Sequence, residues 1–210
     1  MDRQYQIRPE SIPFKNAVKT SEQKKMPDTK DTFIQKFRIL FYFIATLWVI
    51  EIVNSLTAHS LSSLGIIPRT LGGLTGIPLA PFLHNSVMHL MFNSVPLAIL
   101  GGLMILSGKK LFVKNTLFII IVGGAGLWLV GRPGAHAGAS GLVFGYFGYL
   151  AARGFFKRDI LSALISFFTV FSYGGLLWGI APTFTRVSWE GHLCGFLAGI
   201  LGAWIENRKP

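Results

Sequence analysis

Ser140 is the residue best placed to do chemistry. It closes Gly138-Ala139-Ser140-Gly141, where a glycine-rich loop turns into an apolar helix. A helix start leaves backbone N–H groups free. A hydroxyl held among them can attack a carbonyl, and the N–H groups can then bind the oxyanion that forms. GxSG is a short pattern, and Ser and Gly also serve close helix packing in lipid, so the chemistry needs partners. His192 lies in Gly191-His192-Leu193-Cys194-Gly195. His89 and Asn93 lie four apart in His89-Leu90-Met91-Phe92-Asn93, on one helical face. A histidine can take the serine proton and return it to a leaving amine. His89, Asn93 and the Ser140 N–H are then candidate oxyanion donors.

A third, acidic member is not expected, because Glu190 falls on a different face from His192. The pattern therefore predicts a Ser140–His192 dyad. Phe144, four residues after Ser140, is placed to stack on the imidazole. Gly138 belongs to the loop that presents the serine, and His84 supports the 84–93 cluster. His136, in the loop, is the alternative base and is less firmly oriented. His59 is expected to bond locally or face solvent. His84, His89, His136 and His192 could instead hold a metal. HExxH is absent and no acid stands near, so neither a metal nor a cofactor is expected.

These residues sit in a chain of 210 residues that is 51% hydrophobic and only 14% charged. That balance belongs to multi-span membrane proteins. Residues 1–37 are polar, with five acids and no apolar core, which fits a cytoplasmic tail and neither a signal nor a transit peptide. Apolar runs predict spanning helices at 38–57, 86–107, 111–130, 140–153, 159–180 and about 189–205. Residues 58–85, broken by proline and glycine, read as an interfacial segment. Glu51 is expected to tie the first helix to a loop. Six spans put both termini on one side, with 17 of the 20 Lys and Arg; only Arg69, Arg132 and Arg186 face the other. The positive-inside rule makes the first side cytoplasmic, so the basic tail marks membrane orientation and no nucleic-acid partner is expected. One cysteine, Cys194, excludes an internal disulfide.

Helix lengths give depth. If Arg153 marks the inner interface, Ser140 lies about 20 Å away, some 10 Å below the outer surface of a hydrocarbon core about 30 Å thick. His192 lies about 21 Å from Glu206, so the two can meet at one level. Gly141, Gly145 and Gly148 on one helix, and Gly195 and Gly199 on the other, let the backbones close up.

With these three motifs in this order, the chain resembles the rhomboid intramembrane serine proteases over residues 38–206. The resemblance implies an all-α, six-transmembrane-helix bundle with both termini cytoplasmic, a tail at 1–37 and a short C-terminal tail at 207–210. It implies Ser140 as nucleophile, His192 as base and acid, and His89 and Asn93 as oxyanion stabilisers. It also implies cleavage of single-span membrane proteins near the outer face of a plasma membrane, bacterial by size. Many members carry a Trp-Arg pair in the first outer loop; here Pro68-Arg69-Thr70 stands there. Two other readings are a client-binding protein without cleavage and a transporter. Loss of Ser140 or His192 would favour the former. A polar path through the whole depth would mark the latter, and the polar residues here gather in the outer half.

Overall fold

In the computed structural model the described residues are 29–182 and 187–208. The expected tail at 1–37 lies outside them up to residue 28, as do Arg186 and the last two residues. Six long helices make the body: α1 (Thr29–Leu56), α3 (Val87–Ser107), α4 (Lys109–Val130), α5 (Ser140–Lys157), α6 (Ile160–Tyr173) and α7 (Trp189–Asn207). The four-residue α2 (Gly76–Leu79) and several single 3₁₀ turns fill the segment between α1 and α3.

Three helix bounds depart from expectation, one of them the end of α6 at Tyr173, from which 3₁₀ turns run on to Ile180. α1 begins at Thr29, not at 38. Lys30, Gln35 and Lys36 are good helix formers, and backbone bonding does not stop where apolar sequence stops. α5 runs on to Lys157, and Arg153 is buried inside it. Arg153 is therefore a buried residue turned toward the bundle interior and not an exposed end of its helix. The depth ruler moves, but the level of Ser140 against His192 is set independently by helix packing, described below.

Four segments are long and apolar enough to cross a membrane: Ile34–Leu56, Val87–Ser107, Lys109–Val130 and Ile160–Ile180. α5 and α7 fall short because glycine and polar residues dilute them. The protein is thus a mostly helical integral membrane protein. α5 is its centre: every residue from Leu142 to Leu150 is buried. A helix enclosed all round by protein does not need a lipid-compatible surface.

The 58–86 segment closes the Ser140 end of the bundle. His136 and Ile66 pair as an isolated antiparallel bridge, exchanging N–H···O bonds of 2.9 and 2.8 Å. Arg69 donates from Nη1 to the carbonyls of Leu129 and Gly131, and Trp128 Nε1 donates to Thr70 O. Arg69 thus satisfies free carbonyls at the C-terminus of α4. Glu51 is buried on α1 and bonds His59 Nε2 at 3.1 Å, tying the helix to the turn that follows it.

Candidate active site

The nucleophile candidate and the base candidate are carried by two parallel helices that touch backbone to backbone. A Cβ on Gly195 would come within 2.0 Å of Gly141 O, and one on Gly199 within 1.9 Å of Gly145 O. On the α5 side, a Cβ on Gly148 would come within 2.4 Å of Phe196 O. Contact this close is open only to glycine. It fixes the register of the two helices, so the first turn of α5 lies level with the first turn of α7. Ser140 opens α5, and His192 stands in the opening turn of α7 behind Ser188, whose hydroxyl accepts the Gly191 N–H as N-cap.

His192 is held by two contacts. Phe144 stacks on its ring, with centroids 4.0 Å apart and 9° between the planes. Nδ1 lies 2.9 Å from the carbonyl of Gly179, on the 3₁₀ turns Gly174–Ile180 that follow α6. A carbonyl only accepts, so Nδ1 carries the proton and donates it. In the neutral ring Nε2 then has the lone pair, the form a general base needs. A backbone carbonyl orients the ring as a carboxylate would, without adding a charge. Ser140, His192 and His89 line one open cavity of about 950 Å³. A smaller, mainly apolar space of about 60 Å³, lined by Ile77, Ile119 and Leu127 among others, backs onto Ser140 from the other side.

The loop before Ser140 is pressed onto the opposite wall. Gly138 has φ +134°, which favours glycine. A Cβ there would lie 2.8 Å from His89 Cε1, 3.1 Å from His89 Nε2 and 3.8 Å from Asn93 Nδ2. Gly138 therefore lets the loop pass directly over the two side chains. Asn93 is buried, and its Nδ2 makes no hydrogen bond among the described residues. His84 is fully buried and takes the Ala139 N–H on Nε2 at 3.2 Å. An accepting Nε2 is an unprotonated one, and burial, helped by neighbouring His89, lowers the His84 pKa to about 3. The backbone of His84 is pinned in turn by Asn54 and Ser62, which both donate to its carbonyl. Its ring meets His89 edge-on, with centroids 5.2 Å apart.

The sequence-predicted residues thus converge. Ser140, His192 and His89 meet at one cavity, Asn93 and His84 stand behind Gly138, and Phe144 covers the imidazole. His136 also reaches the cavity wall. Its two ring nitrogens are engaged, by Ser188 Oγ at 2.7 Å and by Arg132 O at 2.8 Å. That makes it a strut of the loop and a poorer base. His59 lies away from the site, against Glu51.

Three contributors were missed by sequence reasoning. Gly179 acts through its carbonyl, and a backbone group leaves no residue-type signal. Ser188 is an N-cap, legible from its place just before Trp189. Arg132 and buried Glu190 form an ion pair that ties the loop to α7, with Nε against Oε1 and Nη2 against Oε2. Two opposite charges in an outer region this poor in charge were the available clue. Among the described residues, no cluster of His, Cys, Asp and Glu is arranged to hold a metal ion.

The sequence matches a known family. The family model described as Rhomboid domain matches residues 71–209. An uncharacterized protein of Mycobacterium bovis is 41% identical over 172 residues, covering 78% of this chain and 72% of its own length. An uncharacterized protein of Mycobacterium leprae is 39% identical over 175 residues, covering 78% and 68%. The chain belongs to the rhomboid family, a family of intramembrane-protease-like proteins.

Proposed function

We propose that this protein is an intramembrane serine endopeptidase that cuts transmembrane segments of single-span proteins with a Ser140–His192 dyad. The observation that carries this reading is Asn93 Nδ2. It is a buried amide donor without a partner, beside the glycine that leads to the serine. Leaving such a donor unmade costs about 1–3 kcal/mol. That cost is understandable where a reacting oxygen supplies the missing acceptor.

His192 Nε2 takes the proton from Ser140 Oγ as Oγ bonds to the scissile carbonyl carbon. The carbonyl oxygen becomes an oxyanion and accepts from Asn93 Nδ2, His89 and the Ser140 N–H. The C–N bond breaks, and the amine leaves with the proton from His192. A water, deprotonated by the same nitrogen, then attacks the ester carbon; the bond to Oγ breaks, and His192 returns the proton to Ser140 Oγ.

All six long helices span in this reading. Lys/Arg asymmetry puts both termini in the cytoplasm and the cavity outward, in a bacterial plasma membrane. Residues 1–37 and 207–210 are then cytoplasmic tails of a 38–206 membrane domain. A bent substrate stretch enters sideways between α3 and α6. Helix-weakening, small residues favour cleavage, because backbone must leave its helical bonds to be attacked.

Purified protein and a fluorescent single-span reporter test this, with Ser140→Ala and His192→Ala alongside. Each variant is expected to lose at least about 10³-fold in kcat. Equal cleavage by all three would remove the dyad. No cleavage by folded wild type over several reporters would favour a client-binding protein of the same fold.

A further inference from the structure

At the end of the bundle opposite Ser140, a cation is buried with no ion pair among the described residues. Arg153 is only 6% exposed, and its Nε makes no hydrogen bond. The nearby acids are engaged elsewhere. Glu206 accepts from Tyr149 Oη and from Asn115 Nδ2 on one carboxylate oxygen. Asp159 is held by Lys157 and by the N–H and hydroxyl of Ser162. The other charges at this end include the cations Lys109, Lys110, Lys114, Lys157, Arg158 and Arg208. Arg208 lies over the Trp204 ring at 3.7 Å. A buried, unpaired guanidinium in a membrane protein is costly unless something anionic meets it.

Helix register supplies the other half of a site. Arg153 follows Tyr149 by one turn, so it leaves α5 on the face turned toward α4 and α7, where Tyr149 meets Glu206 and Asn115. α4 runs antiparallel to α5: Ile119 packs at Gly145, and Thr116 bonds Tyr146. Continuing that register puts the first turn of α4 level with Arg153. α3 runs parallel to α5, and Gly101 beside Tyr146 brings the Ser107-Gly108 turn to the same level. The N-terminus of α4 has no side-chain cap; its N-cap is Gly108, at φ +142°. Free N–H groups and the positive end of the helix dipole therefore stand level with the unpaired guanidinium.

We propose that Arg153 and the N-terminal turn of α4 form a phosphate-binding site that takes the phosphodiester headgroup of an anionic phospholipid. The guanidinium gives a planar, two-pronged donor, and the amides of the 109–111 turn donate beside it. A zwitterionic headgroup carries the same phosphate with its own ammonium. The surplus of lysine and arginine at this end selects against that second charge. The site ties a lipid to α3, α4 and α5 at once, at the end away from the chemistry.

The full chain, in nanodiscs of mixed phosphatidylglycerol and phosphatidylcholine, is released and weighed by native mass spectrometry. Wild type is expected to keep one phosphatidylglycerol in preference to phosphatidylcholine. Arg153→Gln is expected to lower that retention about tenfold, with Arg153→Lys between and Lys157→Gln unchanged. Equal retention of the two lipids by wild type overturns the proposal without need of any variant. So does an equal loss in Arg153→Gln and Lys157→Gln, which would mean diffuse surface attraction. In a second arm, inorganic phosphate is added to lipid-free protein in neutral detergent. A melting-temperature rise in wild type but not in Arg153→Gln would assign the site to free phosphate and overturn the lipid assignment. Response to phosphatidylglycerol alone supports it.

Discussion

α5 is flanked by two helices that hold it in opposite ways. Against α7 it packs through glycines, with backbone meeting backbone from Gly141 to Gly148. Against α6 the close approach gathers at the inner end, where Gly154 fits against Ser166 and Ser162, and Ser166 Oγ donates to Ala151 O. Farther out, α6 turns large side chains outward: Leu164, Phe167 and Phe171 are all exposed, and only Ser162 and Thr169 are buried. At the outer end the α6 segment returns to the site through one carbonyl, Gly179 O on His192. Ser140 and His192 lie on the seam where backbone meets backbone. The α5–α6 seam keeps its close approach at the end away from Ser140, which leaves the other end of α6 the one to yield to the entry between α3 and α6 proposed above.

The sharpest way to break this contrast is to put one methyl group on the packed face of α7 and one at the free end of α6. Gly195→Ala places a Cβ within 2.0 Å of Gly141 O. The helices must separate, and Ser140 moves from His192. Cleavage is expected to fall at least about 10²-fold, and stability by about 1–3 kcal/mol, read by reporter turnover and thermal unfolding. Gly174→Ala, at the end of α6, meets nothing within 4 Å and has a helical φ of −56°. It is expected to change stability by less than about 0.5 kcal/mol and to leave turnover intact. Equal damage from both would erase the distinction between the backbone-packed face of α7 and the unpacked end of α6.

Within the site, Asn93→Ala should lower kcat by about 10²–10³-fold and move KM little, because the donor is met only by the oxyanion. A loss confined to KM would make Asn93 a ground-state contact.

A smaller effect comes from pH. His84 titrates near 3 when folded and about 6.5 when unfolded. Its folded pKa is depressed, so its contribution to stability is complete above the unfolded value. As pH falls below about 6.5 the unfolded chain binds the proton first, and stability drops by up to about 1.4 kcal/mol per unit until about pH 3. Thermal unfolding between about pH 7 and pH 4 should show a shallower slope for His84→Gln than for wild type. Identical slopes would contradict a neutral, accepting His84.

The motifs carried much of this in advance. Ser140 at a helix start, His192 between Gly191 and Gly195, and the His89–Asn93 spacing are local patterns, and helix periodicity translates them into faces. The glycines on α5 and α7 were legible for the same reason: small residues at matching spacing announce close packing. Three things were not legible. The start of α1 was misplaced because an apolar pattern reports where lipid begins, while helix propensity decides where the backbone stops. Arg153 was taken for an interface marker because a charge reads as a surface until its packing is known. Gly179 was invisible because its carbonyl, shared by every residue type, is the group that orients His192. The spare Asn93 donor likewise depends on what Gly138 leaves room for.

The central claim is that Ser140 is a nucleophile activated by His192. A fluorophosphonate probe tests it directly. The serine oxygen displaces fluoride from phosphorus, and digestion with tandem mass spectrometry locates the adduct. The account predicts a single phosphonylated serine, Ser140, in wild type and none in His192→Ala. Labelling at another serine, or equal labelling of Ser140 without His192, would contradict it.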